Sequence, residues 1–182
     1  MNARIEGLQT LRATCWQQLQ HAAAEPAHGW HHMVLATQDG DTVDARTVVL
    51  RDVEAPLARL AFYSDSRSAK VAQLRAQPRA TLVTWSGALS WQLRLRASFE
   101  VADSGLDVSS RWARMKLSPA AQDYLSPLPP GTPIERYQPE RGTREHFCVL
   151  WAQVLSMDWV ELHPDGHRRA RFDDDGARWL VP

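Results

Sequence analysis

The sequence predicts a mainly β chain: a closed or partly closed antiparallel barrel of six to eight strands, with helices at its start and at crossovers. Three observations carry this. Apolar, β-branched runs recur between turn signals such as Asp39-Gly40-Asp41 and Asp165-Gly166. The longest early run, from about Leu89 to Ala102, alternates: Trp91, Leu93, Leu95, Ala97 and Phe99 point one way, and Ser90, Gln92, Arg94, Arg96 and Ser98 the other. Helical periodicity is confined to a few short segments, so the regular strand–helix repetition of a parallel sheet is missing.

In order, residues 5–24 read as a helix, with Leu8, Leu11, Cys15, Leu19 and Ala22 on one face and Pro26 and Gly29 closing it. Met33–Thr37 and Val43–Arg51 form a hairpin about the Asp39-Gly40 turn, and Leu60–Tyr63 makes a third strand. Ser68–Ala76 is a short helix with Val71 and Leu74 inward, followed by a fourth strand, Ala80–Trp85, and the alternating fifth. Residues 105–117 read as a helix carrying Leu106, Trp112 and Met115, and Ser118-Pro119 starts another short one. Pro127–Gly142 holds five prolines and two glycines and reads as an irregular excursion. Phe147–Leu162, His167–Phe172 and Ala177–Val181 are the closing strands.

At 182 residues the chain is expected to be a single domain, 1–182, with an N-terminal helical segment (1–29) and the irregular stretch at 126–146. Burial of about 70% of the unfolded surface supports a core without staples. The 21 basic and 21 acidic residues cancel, which argues against a general nucleic-acid or anionic-membrane surface. Cys15 and Cys148 have no metal-ligand spacing and read as reduced core residues. No membrane-spanning run or apolar leader is legible, so a soluble cytoplasmic protein is expected. The H-G-W-H-H run (28–32) is no recognised ligand spacing, and no metal site is expected.

Chemistry concentrates between Arg46 and Lys70. R-T-V-V-L-R (46–51) is a strand with an arginine at each end. F-Y-S-D-S-R-S-A-K (62–70) then crowds Ser64, Ser66, Arg67, Ser68 and Lys70 just before a helix. Hydroxyls and cations at a strand end beside a helix N-terminus suit a phosphate monoester. The plain alternative is a turn with one serine as N-cap and strand-end solubilising charges. An ideal strand puts residues 46 and 51 on opposite faces, which suits separate roles.

The ordered set R-T-V-V-L-R (46–51), F-Y-S-D-S-R-S-A-K (62–70), W-S-G-A-L-S-W-Q-L-R (85–94) and R-R-A-R-F…W-L-V-P near the end resembles the pyridoxamine 5′-phosphate oxidase-like family of FMN-binding split β-barrels. The resemblance implies a homodimer with FMN in a cleft between subunits. By it, Arg46 meets the phosphate or ribityl, and Thr47, Val48 and Val49 line the flavin through their backbone. Tyr63 and Ser64 match an aromatic–hydroxyl pair, Ser68 and Lys70 the phosphate-binding Ser and Lys. Gln92 matches a glutamine that bonds the isoalloxazine, and Arg171 a late arginine near the flavin. Arg51 stands at a position facing both flavin and substrate, and Arg51, Arg114, Ser118 and Arg169 are substrate-side candidates. The flavin carries the chemistry, so no catalytic side chain is assigned.

The chain departs from the oxidases at two places. Their Y-x-x-x-R-x-x-x-S helix pattern keeps Arg114 and Ser118 but has Ser110 where Tyr belongs, and their R-L-H-D-R reads H-R-R-A-R (167–171). The FMN site is thus expected to be kept and the vitamin-B6 site rewritten. An FMN-dependent oxidoreductase, a flavin carrier or redox sensor without turnover, and a haem or deazaflavin relative are the readings left open.

Overall fold

The computed structural model describes residues 4–136, 142 and 145–182. It contains eight strands: β1 (His32–Asp39), β2 (Thr42–Glu54), β3 (Arg59–Asp65), β4 (Arg79–Ser86), β5 (Trp91–Ala102), β6 (Phe147–Glu161), β7 (Arg168–Asp173) and β8 (Gly176–Leu180). Three helices accompany them: α1 (Leu8–Ala24), α2 (Ala69–Ala76) and α3 (Leu106–Met115), with a 3-10 turn at Pro119–Tyr124.

The strands are antiparallel neighbours in the order β3-β2-β1-β4-β5-β6-β7-β8, and β3 also pairs with β6. That last pairing closes six strands into a barrel. The 15-residue β6 makes it possible, because its first half pairs with β3 and its last five residues with β7, while β5 runs along both. A register shift between Arg96 and Ala97 lets β5 follow this turn.

Inward residues fill the barrel as the alternation predicts: Leu35, Leu50, Phe62, Leu82, Leu93 and Leu95 are buried in one cluster. Helix α1 adds Leu11, Cys15, Leu19 and Ala22 to that cluster. A smaller cluster lies on the outer face of β3 and β6, where Val149 and Trp151 meet Val108 and Trp112 of α3 and Tyr124 of the 3-10 turn.

Two local expectations are corrected. Helix α1 begins at Leu8 behind Gly7 rather than at residue 5; Arg168 Nη1 instead holds the Ile5 carbonyl at 2.9 Å, keeping this segment extended. Leu106 is 91% exposed, because it sits in the first turn of α3, ahead of the face that reaches the sheet. Ser68 and Ser118 occupy the N-cap positions read for them, though neither side chain makes a capping bond. Gln92, Arg94 and Arg96 do lie on the wetter face of β5. Of the expected 126–146 excursion, residues 137–141 and 143–144 lie outside the described residues.

Gly29 is fixed by packing. A Cβ there would lie 2.8 Å from the Ser86 Cα and 2.9 Å from its Cβ. Gly29→Ala is expected to lower unfolding stability by about 1–3 kcal/mol, read as a lower urea midpoint at unchanged slope. Gly87→Ala, whose added carbon would meet nothing nearer than the Trp85 Nε1 at 3.8 Å, should change little.

Candidate functional site

The end of β3 and the start of α2 bring Ser64, Ser68 and Lys70 together. Lys70 Nζ donates to Ser64 Oγ at 3.2 Å and to Ser68 Oγ at 3.3 Å, and the two hydroxyls are 3.1 Å apart. Ser68 therefore turns its side chain away from the capping role and toward the lysine. Among the described residues no carboxylate pairs with Lys70. Burial pushes its ammonium below the usual lysine value, and the neighbouring Arg46 charge pushes it further the same way. A half-buried, unneutralised ammonium flanked by two hydroxyls is a donor set for an anion.

Arg46 reaches the same helix from β2. It donates to Thr37 Oγ1 and the Leu35 carbonyl on β1, to Gln73 Oε1 of α2 at 2.9 Å, and to Asp44. Hydrogen bonds from Arg46 and Gln73 hold the Asp44 carboxyl below the ordinary range. Arg67 has another task. Its guanidinium and backbone N–H embrace Asp65, a carboxylate only 5% exposed, through contacts of 2.7–3.0 Å. The same guanidinium donates to the carbonyls of Ser126 at 2.9 Å and Pro127 at 3.3 Å. Arg67, counted in the phosphate cluster on sequence grounds, is committed to Asp65 and the proline-rich segment.

A cleft of about 610 Å³ opens beside this cluster, lined by Tyr63, Ser64, Asp65 and Lys70 together with residues of the 122–136 stretch. Its volume lies in the range of small-molecule sites. Arg51 sits near it through a bulge: β2 and β3 lose register between Leu50 and Asp52, which leaves Arg51 as the extra residue. The Arg51 guanidinium lies 5.7 Å from the Tyr63 ring centre, and its Nε is buried without a hydrogen-bond partner among the described residues. Tyr124 is close enough to feel it. Burial pushes that phenol up to about 12, with the Arg51 charge pulling the other way. Asp52, one residue on, is held by Arg111 of α3 at 2.9 Å, so the helix anchors the bulge.

Other expected residues lie elsewhere. Val48 is buried in the barrel, Thr47 is exposed and Val49 is half-buried beside them on β2. Gln92 faces outward on β5, opposite Trp85 and Val160, and does not line the Lys70 cleft. Arg171 donates to Asp173 at 2.7 Å and borders a second cleft with Arg79 and Arg96. Arg169 is bound through two nitrogens to Asp158, at 3.0 and 2.8 Å, and Arg94 takes the same carboxylate. Arg114 is exposed on α3 and reaches back to the Ser110 carbonyl, while Ser118 donates to Met115. Sequence reasoning missed Tyr124, Asp65 and Arg111. Only the D-S-R spacing of residues 65–67 signalled any of them. Among the described residues no cluster of His, Cys, Asp or Glu could hold a metal, and no helix is long and apolar enough to cross a membrane.

The Arg67 contacts generate a stability prediction. Arg67→Ala should strand a buried carboxylate and cost about 2 kcal/mol, measured by urea unfolding; Arg67→Lys should recover only part, because an ammonium cannot fork onto both oxygens.

Comparison with known proteins places this geometry. Residues 13–103 match the family described as pyridoxamine 5′-phosphate oxidase, FMN-binding domain. The chain is 30% identical over 177 residues to a pyridoxine/pyridoxamine 5′-phosphate oxidase of Caulobacter vibrioides, covering 90% of this chain and 79% of that one. Among solved structures, it resembles a pyridoxamine 5′-phosphate oxidase-related, FMN-binding protein of Nostoc punctiforme, with a TM-score of 0.73, 22% identity and 98% of each chain covered. It also resembles PhzG of Burkholderia lata, solved in complex with tetrahydrophenazine-1-carboxylic acid, with a TM-score of 0.75, 15% identity, and 93% and 91% covered. These two show the shared split-barrel fold. The half-buried Lys70 ammonium, the paired hydroxyls and the Arg51 Nε, unpartnered among the described residues, fit a phosphorylated, hydrogen-bonding cofactor. The chain belongs to the pyridoxamine 5′-phosphate oxidase FMN-binding family, and its cofactor is FMN.

Proposed function

We propose that the protein is a cytoplasmic FMN-dependent oxidoreductase, working as a homodimer with the flavin held between subunits. The observation that carries this is the Ser64–Ser68–Lys70 donor cluster at the mouth of a cleft, in a chain of an FMN-binding family. When bound, the flavin supplies hydride acceptance and electron return to an acceptor. The chain's own residues bind and orient. Ser64, Ser68 and Lys70 hold the phosphate, with Arg46 behind them and the backbone of Thr47–Val49 along the ring. Tyr63 walls the cleft, and Arg51 faces flavin and substrate together.

Gln92 and Arg171 support the dimer. They belong to the proposed flavin contacts, yet one protomer keeps them off the cleft that Lys70 lines. A second copy can bring them to it. Val34 and Trp85 stand out on β1 and β4 at 44% and 45% exposure, apolar area that a partner would cover.

A second reading, a flavin carrier without turnover, is favoured by the substrate-side cations. Arg169 is neutralised by Asp158, and Arg114 turns to its own helix. Two measurements address these proposals. Replacing Ser68 and Lys70 together by Ala should weaken FMN binding by two orders of magnitude or more, since two or three contacts of about 1.5 kcal/mol are lost; Lys116→Ala should leave it unchanged. Wild-type affinity should fall as pH rises through the Lys70 value, which lies below that of an ordinary lysine. The phosphate stays dianionic there while the ammonium loses its charge. Anaerobic addition of pyridoxamine or pyridoxine 5′-phosphate to the FMN-loaded protein should bleach the flavin's visible absorption if it is a vitamin-B6 oxidase. Unchanged absorption points to another substrate or to the carrier.

A further inference from the structure

The proline-rich segment contributes a cation to the same cleft. Arg136 lines it together with Ser64 and Lys70. Its side chain is exposed and has no ion pair or hydrogen bond among the described residues. The carboxylates on the cleft wall do not claim it. Asp65 is taken by Arg67, and Asp123 makes no ion pair with Arg136.

The path of the chain brings this residue back beside the cleft. Arg67 pins the carbonyls of Ser126 and Pro127, at the start of the segment. At its end, the N–H of Gly142 donates to the Leu125 carbonyl at 2.7 Å and that of His146 to Tyr124 at 2.9 Å. Both ends of the excursion thus close on residues 124–127. In between, Thr132 folds back on the Pro129 carbonyl through its N–H and hydroxyl, and Pro127, Pro129, Pro130 and Pro133 remove backbone freedom.

Charge makes a second cation useful. A phosphate monoester carries nearly two negative charges at neutral pH. Lys70 supplies one positive charge, the serine hydroxyls none, and Arg46 already faces Asp44. We infer that Arg136 is a further phosphate-binding residue, gripping the FMN phosphate in the cleft it shares with Lys70 through its planar fork of donors. This rests on the reading of Ser64, Ser68 and Lys70 as the phosphate anchor.

The test compares FMN with riboflavin, which lacks the phosphate, by quenching of flavin fluorescence on the flavin-free chain. Arg136→Ala should weaken FMN binding roughly tenfold or more and leave riboflavin binding as in the wild type; Arg136→Lys should restore part of the loss. An FMN-to-riboflavin affinity ratio that Arg136→Ala leaves unchanged overturns the inference. Lys70→Ala, run alongside, separates the two claims. If it abolishes the ratio while Arg136→Ala keeps it, the anchor stands and Arg136 has no part in it. If the wild type itself does not prefer FMN, both fall.

Discussion

The double pairing of β6 is the constraint on which the rest of the structure depends. One strand must bond β3 through its first half and β7 through its last residues while β5 follows it throughout. This closes the barrel, and it decides where each face of β3 points. Phe62 is committed to the interior, so Ala61 and Tyr63 must face outward. The outer cluster of Trp112, Tyr124, Phe147 and Trp151 then packs on that face. The end of β3, where Ser64 and Asp65 emerge, is thereby held by Cys148 and Phe147 across the ladder. A donor cluster mounted there is as rigid as the barrel seam beneath it.

Electrostatics in this region is organised by assignment. Buried carboxylates each receive a designated guanidinium: Asp65 has Arg67, Asp158 has Arg94 and Arg169, and Glu161 has Arg4 and Arg168. Arginine suits these pairs because its planar fork meets two oxygens while retaining charge. Among the described residues Lys70 has no such partner, and burial works against its charge. The chain's balanced totals conceal this local excess, which is why net charge said nothing about the cleft.

Much of the fold was legible because strands write a period of two. The alternation from Trp91 to Phe99 survives in the structure residue by residue, and the Asp-Gly turns mark the hairpins they promised. The pairing of β3 with β6 was not legible, since its partners lie more than eighty residues apart and no local signal records them. In the site, the Ser and Lys spacing carried its own chemistry, but Arg67 looked the same as a ligand until Asp65 was seen embracing it. The bulge at Arg51 was hidden because its cause lies in the partner strand's register. Tyr124 and Arg136 were obscured by the irregular backbone around them, where no periodicity assigns a side chain a direction.

The seam between β3 and β6 also shapes how the chain reaches this structure. Hairpins β1–β2, β4–β5 and β7–β8 join residues close in sequence and can form early. Closing the barrel requires Asp65 to find Phe147 across the intervening strands, α3 and the proline-rich excursion, and the entropy of that loop is lost before any seam bond repays it. Until then β3 and β6 each present an open edge, with Phe62, Leu150 and Ala152 uncovered. The strand that carries Ser64 is therefore among the last to be sheltered, and the Ser64–Ser68–Lys70 donor cluster comes into being only when the barrel does.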